Sequence, residues 1–183
     1  DFRQAFTDFS QQVRTIIELP ELLHVLVQRT THLYHVKHGG VYLFRDGAFQ
    51  LADAQDLPEQ ATLELKLDKT NLAQLQAGNT SLRPREELFP LLIPLMAPKT
   101  VESGDNQPVL GVLAMGPRLS GLDYFREDIT LLRGLADQAG TSIYVAQVIE
   151  EKQAEAQRLT DAERQILAHR QSPLAAPRMS PKK

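Results

Sequence analysis

The fold is decided by residues 92–115, which read LIPLMAPKTVESGDNQPVLGVLAM. Two apolar runs of strand length are separated here by a polar loop that includes Glu102 to Asn106. This pattern is typical of two neighbouring antiparallel strands. We therefore predict one strand over about residues 89–97 and the next over residues 109–115, with side chains alternating between the two faces of a sheet.

A long helix is predicted after these strands, from Tyr124 to Leu159. Its apolar positions recur at helical spacing and comprise Ile129, Leu132, Leu135, Ala136, Ala139, Ile143, Ala146 and Ile149. At 1.5 Å per residue the helix is roughly 50 Å long, which exceeds the width of a domain of this size. We expect residues 151–160 to project and to be more stable when paired. Residues 161–183 are expected to form a linker or a disordered tail.

Three further strands are predicted upstream. Residues 41–44 and 48–54 are two apolar runs that flank Asp46-Gly47, a dipeptide typical of a two-residue hairpin turn. Leu63, Leu65 and Leu67 alternate with polar residues and predict a third strand with one solvated face.

A helix is expected to begin at Leu19-Pro20, because proline suits the first helical turn. Its predicted buried side consists of Leu22, Leu23, Leu26, Thr30 and Leu33. A short helix through Leu75 is expected to be capped by Asp68 or Thr70, and Gly78 would end it. Antiparallel strands between helices indicate an α+β domain.

The N-terminal segment, residues 1–18, has the spacing of a further helix. Its apolar positions repeat every three or four residues and include Phe2, Phe6, Phe9 and Val13. These side chains could pack on the sheet or last helix of the same chain, or they could form a seam with a second copy. Both alternatives remain open at this stage.

Composition narrows the classes of function. The net charge of −3 argues against a duplex nucleic-acid binder. The chain contains no cysteine, which excludes disulfides, cysteine nucleophiles and thioether-linked chromophores. No apolar run approaches the roughly 20 residues of a membrane span, and we expect a cytoplasmic protein. Because the first residue is Asp1, we expect an excerpt of a longer signalling protein.

The chain resembles the GAF domain over about residues 15–150. The resemblance rests on Leu92-Ile93-Pro94-Leu95, on Val109-Leu110-Gly111-Val112-Leu113, on the helix that opens with Tyr124-Phe125-Arg126-Glu127-Asp128-Ile129, and on Gly39-Gly40-Val41-Tyr42-Leu43-Phe44 upstream. It implies a central antiparallel sheet of five to six strands, with the N- and C-terminal helices on one face. Short helices and loops would cover the other face. The GAF-like domain is placed at residues 19–150.

The resemblance also implies a regulatory role in signal transduction, a ligand pocket on the loop-covered face, and dimerisation through the terminal helices. Some members of this family reduce methionine sulfoxide or carry a tetrapyrrole, and both kinds use cysteine. The signature of members that bind cyclic nucleotides has no counterpart here. We therefore predict no enzyme activity and no cofactor. The pairing positions would be Phe2, Phe6, Phe9, Val13, Ile149 and Ala156.

A pocket on the loop-covered face would be lined by every second side chain of each strand, because successive side chains point to opposite faces of the sheet. If Val41 and Leu43 face the terminal helices, Tyr42 and Phe44 face the pocket. By analogy with the family, Leu92, Val112 and Ala114 would join them. The leading hypothesis is a sensor of an unidentified small molecule. The alternative is a ligand-free dimerisation module in which these side chains fill the pocket themselves.

His32, His35 and His38 are spaced three apart, and imidazoles at this spacing can share a helical face. No carboxylate lies nearby in sequence to complete a ligand set. A metal-dependent protein or an enzyme that uses this cluster is therefore the weakest hypothesis, and we predict no metal site.

Overall fold

The computed structural model describes residues 18–171. The predicted N-terminal seam of Phe2, Phe6, Phe9 and Val13 lies outside the described residues, as does the tail after Gln171. The elements, in chain order, are α1 (Leu19–Leu33), β1 (Gly39–Arg45), β2 (Ala48–Gln55), α2 (Lys69–Gln76), β3 (Ser81–Leu82), β4 (Leu91–Met96), β5 (Val109–Met115) and α3 (Arg126–Gln171).

The five strands form one antiparallel sheet in the order β2-β1-β5-β4-β3. The α+β prediction and the strands over residues 41–44, 48–54, 89–97 and 109–115 are therefore confirmed, apart from a few terminal residues. The β1–β2 turn has positive φ at Asp46 (53°) and Gly47 (78°). Both values belong to the tight hairpin turn that the Asp-Gly pair favours.

Pro94 lies within β4 and pairs with Val112 of β5. The backbone amide of Arg83, directly after β3, donates a hydrogen bond to the carbonyl of Pro90. Because the backbone polar groups of every second residue in a strand point to the same side, the nitrogen of Pro94 also points to the β3 side of β4. The short β3 covers only Leu91 and Leu92, so no ladder bond is lost at the proline.

The predicted third strand over residues 63–67 is wrong. A single bridge joins Glu64 to Gln50, flanked by two backbone hydrogen bonds to β2. Leu63 is 80% exposed, whereas Leu65 and Leu67 are half-buried. The leucine alternation therefore reflects a segment that touches the edge of β2 without forming a ladder. The edge strand next to β4 is β3, and no pattern in the sequence predicted it.

Helix α3 continues beyond the predicted end at Leu159 and runs to Gln171. Residues 161–171, which were predicted as linker or tail, are therefore helical. Alanine, glutamate, glutamine and arginine are strong helix formers, and the chain has no glycine or proline between Thr141 and Gln171. The chain divides into two compact units, the first ending at Gln147 and the second beginning at Val148.

Helix α1 begins as predicted, with proline in its first turn. Its buried side differs in part from the prediction, because Val27 and Thr31 are buried while Leu33 is 61% exposed. Leu33 is the last residue of the helix, and Tyr34 directly after it turns inward instead. Of the two candidate caps of α2, Asp68 is the one used, and its carboxylate accepts from the Asn71 amide at 2.7 Å.

Two hydrophobic cores lie on opposite faces of the sheet. The first core joins α1 and the early part of α3 to strand residues of one parity, which are Val41, Leu43, Leu91, Ile93, Leu95, Leu113 and Met115. The second core lies under α2 and the loops, around Tyr42, Phe49, Leu75, Phe89, Leu92, Val112 and Ala114. This arrangement of helices on one face, with a short helix and loops on the other, confirms the predicted architecture.

In α3, Leu132, Ala136, Ala139, Ile143 and Ala146 are buried at spacings of four and three. They form the face that the first core uses. Leu135 belonged to the predicted apolar stripe, but its side chain is 37% exposed because it lies next to Ala136 in sequence and off the buried face. Gly140 lies on the buried face, where an added methyl group would clash with the carbonyl oxygen of Met96. The helix therefore approaches the backbone of β4 closely at this one position.

Candidate functional site

The five side chains predicted to line a pocket lie together in the second core. Tyr42, Leu92, Val112 and Ala114 are each at most 1% exposed, and Phe44 packs against them. The pleat explains their grouping, because even-numbered residues of β1 and β4 share one face with Val112 and Ala114 of β5. In the described part of the chain, these side chains form a packed core, which is the arrangement expected from the ligand-free alternative and not the open pocket of the leading hypothesis.

Tyr42 is the most polar of the five residues. Its hydroxyl donates to the carbonyl of Thr62 at 3.2 Å, and its ring meets Phe89 edge-on with centroids 5.9 Å apart. Burial raises the pKa of the Tyr42 hydroxyl, so this group stays protonated and remains a donor at neutral pH. The polar handle expected for a ligand is thus bonded to the chain itself.

The cover of the second core comes from side chains far apart in sequence. Leu75 of α2 is fully buried, and the rings of Phe44 and Phe49 pack at an angle of 54° with centroids 5.0 Å apart. Leu57, Leu65, Leu67, Leu72 and Leu88 pack against the cluster from α2 and the loops. Sequence reasoning identified the strand face but missed this cover, because only the tertiary fold brings these residues over the sheet.

The fold sets His38 apart from the other two histidines of the cluster that the sequence pattern suggested. The rings of His32 and His35 lie 6.2 Å apart on the surface. His38 is buried, bonds the carbonyl of Leu88 through Nε2 and meets Phe89 edge-on at 5.5 Å. Within residues 18–171, no group of three histidines, cysteines or acidic residues is placed to hold a metal ion.

A cavity of about 220 Å³ lies where the β3–β4 connection meets the loop between β5 and α3. Arg118 lines it and donates to the carboxylate of Asp128 at 3.1 Å, with its guanidinium 5.6 Å from the Phe125 ring centroid. The Arg118 Nε is buried and has no hydrogen-bond partner among the described residues. The sequence contained no motif at this arginine, so it was not among the predicted site residues.

Tyr124 forms another wall of this cavity and also belongs to the first core. Its hydroxyl donates to the carbonyl of Gly116 at 2.6 Å. Burial strongly raises the pKa of the Tyr124 hydroxyl; Arg118 opposes the rise and Asp128 adds to it. This buried hydrogen bond joins the end of β5 to the start of α3.

The second unit exposes every residue of α3 from Glu150 to Gln171. Three of these are large and apolar: Leu159 (61% exposed), Ile166 (55%) and Leu167 (54%). The predicted pairing residues Ile149 and Ala156 lie on the same stretch of helix. No helix within residues 18–171 has both the length and the apolar character needed to cross a membrane.

The chain matches no protein-family model and no curated protein. Solved structures with the same architecture do exist. A far-red cyanobacteriochrome photoreceptor superposes with a TM-score of 0.57 at 18% identity, over 79% of this chain and 96% of that one. The GAF domain of a phosphoenolpyruvate-protein phosphotransferase from Acinetobacter superposes with a TM-score of 0.55 at 16% identity, over 76% of this chain and 90% of that one. A GAF domain/HD domain protein from Geobacter sulfurreducens superposes with a TM-score of 0.55 at 15% identity, over 73% of this chain and 96% of that one.

The chain has the GAF fold. In this GAF fold the terminal helices cover one face of the sheet, and the face expected to hold a ligand is occupied by Tyr42, Phe89 and their neighbours. At identities of 15–18% the likeness establishes the fold alone.

Proposed function

We propose that this chain is a regulatory GAF-type module of a cytoplasmic signal-transduction protein, and that it acts by pairing with a second copy through its terminal helices. The observation that carries the proposal is the exposed apolar residues of the second unit, Leu159 and Ile166 above all. A single helix with such a seam gains stability when a partner covers it. The packed second core supports a module that works without a resident ligand.

The packing of the second core argues against a catalytic role for this chain. The polar groups in and beside the second core are bonded internally, as in the hydrogen bonds from Tyr42 to Thr62 and between His38 and Leu88. Groups held in this way do not offer a free base, acid or nucleophile to a substrate. The regulatory effect would pass through helix packing to whatever the helices are attached to.

Light scattering on the full chain tests the pairing. Leu159→Asp should convert a dimer into a monomer, because a charge would be placed in the apolar seam. Leu119→Asp is a matched control, since Leu119 is 64% exposed in the loop between β5 and α3 and lies off the seam. A monomeric wild-type chain would refute the proposal, and so would equal behaviour of the two variants.

Sensing of a small molecule is a second candidate function, and the cavity at Arg118 is the observation that favours it. Arg118 lines the cavity, and a guanidinium can bind the oxygens of a small anion through two parallel hydrogen bonds. Thermal-shift measurements with acetate, glycolate and inorganic phosphate would test this role. The expected result is a rise in the melting temperature of the wild type that is lost in Arg118→Lys, which keeps the charge but lacks the planar guanidinium. No rise with any of these anions would remove this candidate.

A further inference from the structure

Seven positions of the second unit form one continuous seam along the helix. They alternate at spacings of three and four and are Ile149, Lys152, Ala156, Leu159, Glu163, Ile166 and Arg170. This is the repeat of a coiled-coil interface. Ile149 is half-buried and the other six are exposed, so the seam is available to a partner. We call these seven residues the second-unit seam.

The second-unit seam contains three charged residues, and two of them, Lys152 and Glu163, distinguish the two ways of pairing it with a second copy. In a parallel pair each residue faces its own counterpart. Lys152 would then meet Lys152, and Glu163 would meet Glu163, which places like charges together twice. In an antiparallel pair centred between Gln157 and Arg158, each Lys152 meets a Glu163. The charges therefore complement one another only in the antiparallel arrangement.

Side-chain volume gives the same answer by a separate route. The antiparallel register places Ala156 opposite Leu159, so that a small and a large side chain fill each central layer together. A parallel register would place Ala156 opposite Ala156 and leave a gap at that layer. Ile149 meets Ile166 in the antiparallel register, so the outer apolar layers are also matched.

We infer that the second unit pairs with a second copy of this chain in antiparallel orientation, centred between Gln157 and Arg158. The inference rests on the proposed pairing of the terminal helices and adds its direction. At 1.5 Å per residue the two Gln171 residues would then lie about 40 Å apart. In a parallel pair they would be roughly 10 Å apart. The direction therefore decides whether the two chains leave the pair side by side or at opposite ends.

Cysteine pairing tests the direction, because the chain has no cysteine of its own. In the antiparallel pair the two copies of residue 149 are about 26 Å apart, far beyond the roughly 7 Å that a disulfide can bridge. The variant Ile149→Cys should therefore not cross-link alone. An equimolar mixture with Ile166→Cys should cross-link under mild oxidation and give a heterodimer on a non-reducing gel.

Two other outcomes would overturn the inference, and they can be told apart. Rapid cross-linking of Ile149→Cys by itself would indicate a parallel pair and leave the proposed dimeric function standing. Absence of cross-links together with a monomer by light scattering would mean that something else covers the seam, such as residues 1–17 of the same chain. That result would remove both the inference and the proposed pairing.

Charge exchange provides an independent test without oxidation. In the antiparallel pair, Lys152→Glu and Glu163→Lys each turn two attractive contacts into two repulsive ones, which should weaken dimerisation about tenfold. The double exchange restores the opposite charges and should return the dissociation constant to within about threefold of the wild type. A parallel pair would respond differently, because each single change only replaces one like-charge contact with another. Unchanged dimerisation in both single variants would contradict the inference, and helix content by circular dichroism checks that each variant is folded.

Discussion

The two faces of the sheet carry cores of different construction. The first core is closed by two helices, α1 and the early part of α3, which pack on fully buried strand residues. The second core is closed by α2, a helix of two turns, and by the irregular segment between β2 and α2. Both cores exclude water from the sheet, but only the first is closed by long, internally bonded elements.

This difference predicts which face opens first. The segment before α2 is tied to β2 by two backbone hydrogen bonds and to β1 by the Tyr42 hydroxyl. Elements with few such ties open at a lower free energy than packed helices. We therefore expect the second core to loosen locally at a lower free energy than the first, while the domain stays folded.

Truncation of one buried leucine in each core should give the largest effect. Leu132→Ala in the first core and Leu75→Ala in the second remove the same atoms from fully buried positions. Such changes lower the free energy of unfolding by about 2–5 kcal/mol, and by less where the surrounding side chains can move into the space. We expect the loss to lie near the upper end of this range for Leu132→Ala and near the lower end for Leu75→Ala, as measured by urea denaturation. Equal costs would show that the cover of the second core is as rigid as the helices.

Two glycines of α3 provide the next test, on the first core alone. Gly140→Ala should destabilise the domain by about 1–3 kcal/mol, because its methyl group would clash with the carbonyl of Met96. Gly134→Ala is the matched control on the same helix, since its methyl group would meet nothing within 4 Å. The control should be more stable than the wild type by up to about 1 kcal/mol. Thermal melts of both variants would decide, and similar melting temperatures would contradict the close approach.

Removal of one hydroxyl from each core should have a smaller effect. Tyr124→Phe deletes a buried hydrogen bond of 2.6 Å in the first core, and Tyr42→Phe deletes one of 3.2 Å in the second. A typical bond of this kind contributes about 0.5–1.5 kcal/mol. We expect the loss to be larger at Tyr124, since the shorter bond joins two rigid elements. A larger loss at Tyr42 in chemical denaturation would reverse the comparison.

The smallest effect at neutral pH, and a growing one in alkali, should come from tyrosine ionisation. Burial raises the pKa of Tyr34, Tyr42 and Tyr124 above that of an exposed tyrosine. Stability from these groups is fully present below the unfolded pKa of about 10 and is lost as the pH rises past it. Unfolding curves between pH 8 and 11 should show this loss, and Tyr124→Phe should reduce it. An unchanged slope in that variant would contradict the assignment.

Local sequence patterns were sufficient for much of the fold. Alternation and the Asp46-Gly47 turn predicted β1 and β2, and the apolar runs after Phe89 predicted β4 and β5. The two-residue β3 was missed because its pairing with β4 depends on tertiary contacts that leave no periodic pattern. The end of α3 was misplaced because an exposed helix needs helix-forming residues but no apolar stripe.

The candidate site was predictable only in part. Strand parity places Tyr42 and Val112 on one face from sequence alone, because the pleat has a fixed period. Whether that face holds an open pocket depends on Leu75, Phe89 and other residues far along the chain, and no local pattern reports their approach. The cavity at Arg118 likewise arises where two loops meet.

The edges of the sheet have a consequence for aggregation. The outer edge of β2 is bonded to Leu63 and Leu65, and the opposite edge ends in the two-residue β3. Beyond the two residues that β3 covers, Pro94 is buried and places a nitrogen without a hydrogen at the edge of β4. Short, covered or proline-bearing edges are the means by which proteins prevent growth of intermolecular sheets. A concentrated solution of this protein should therefore resist fibril formation, even though the exposed helix of the second unit can associate with a partner.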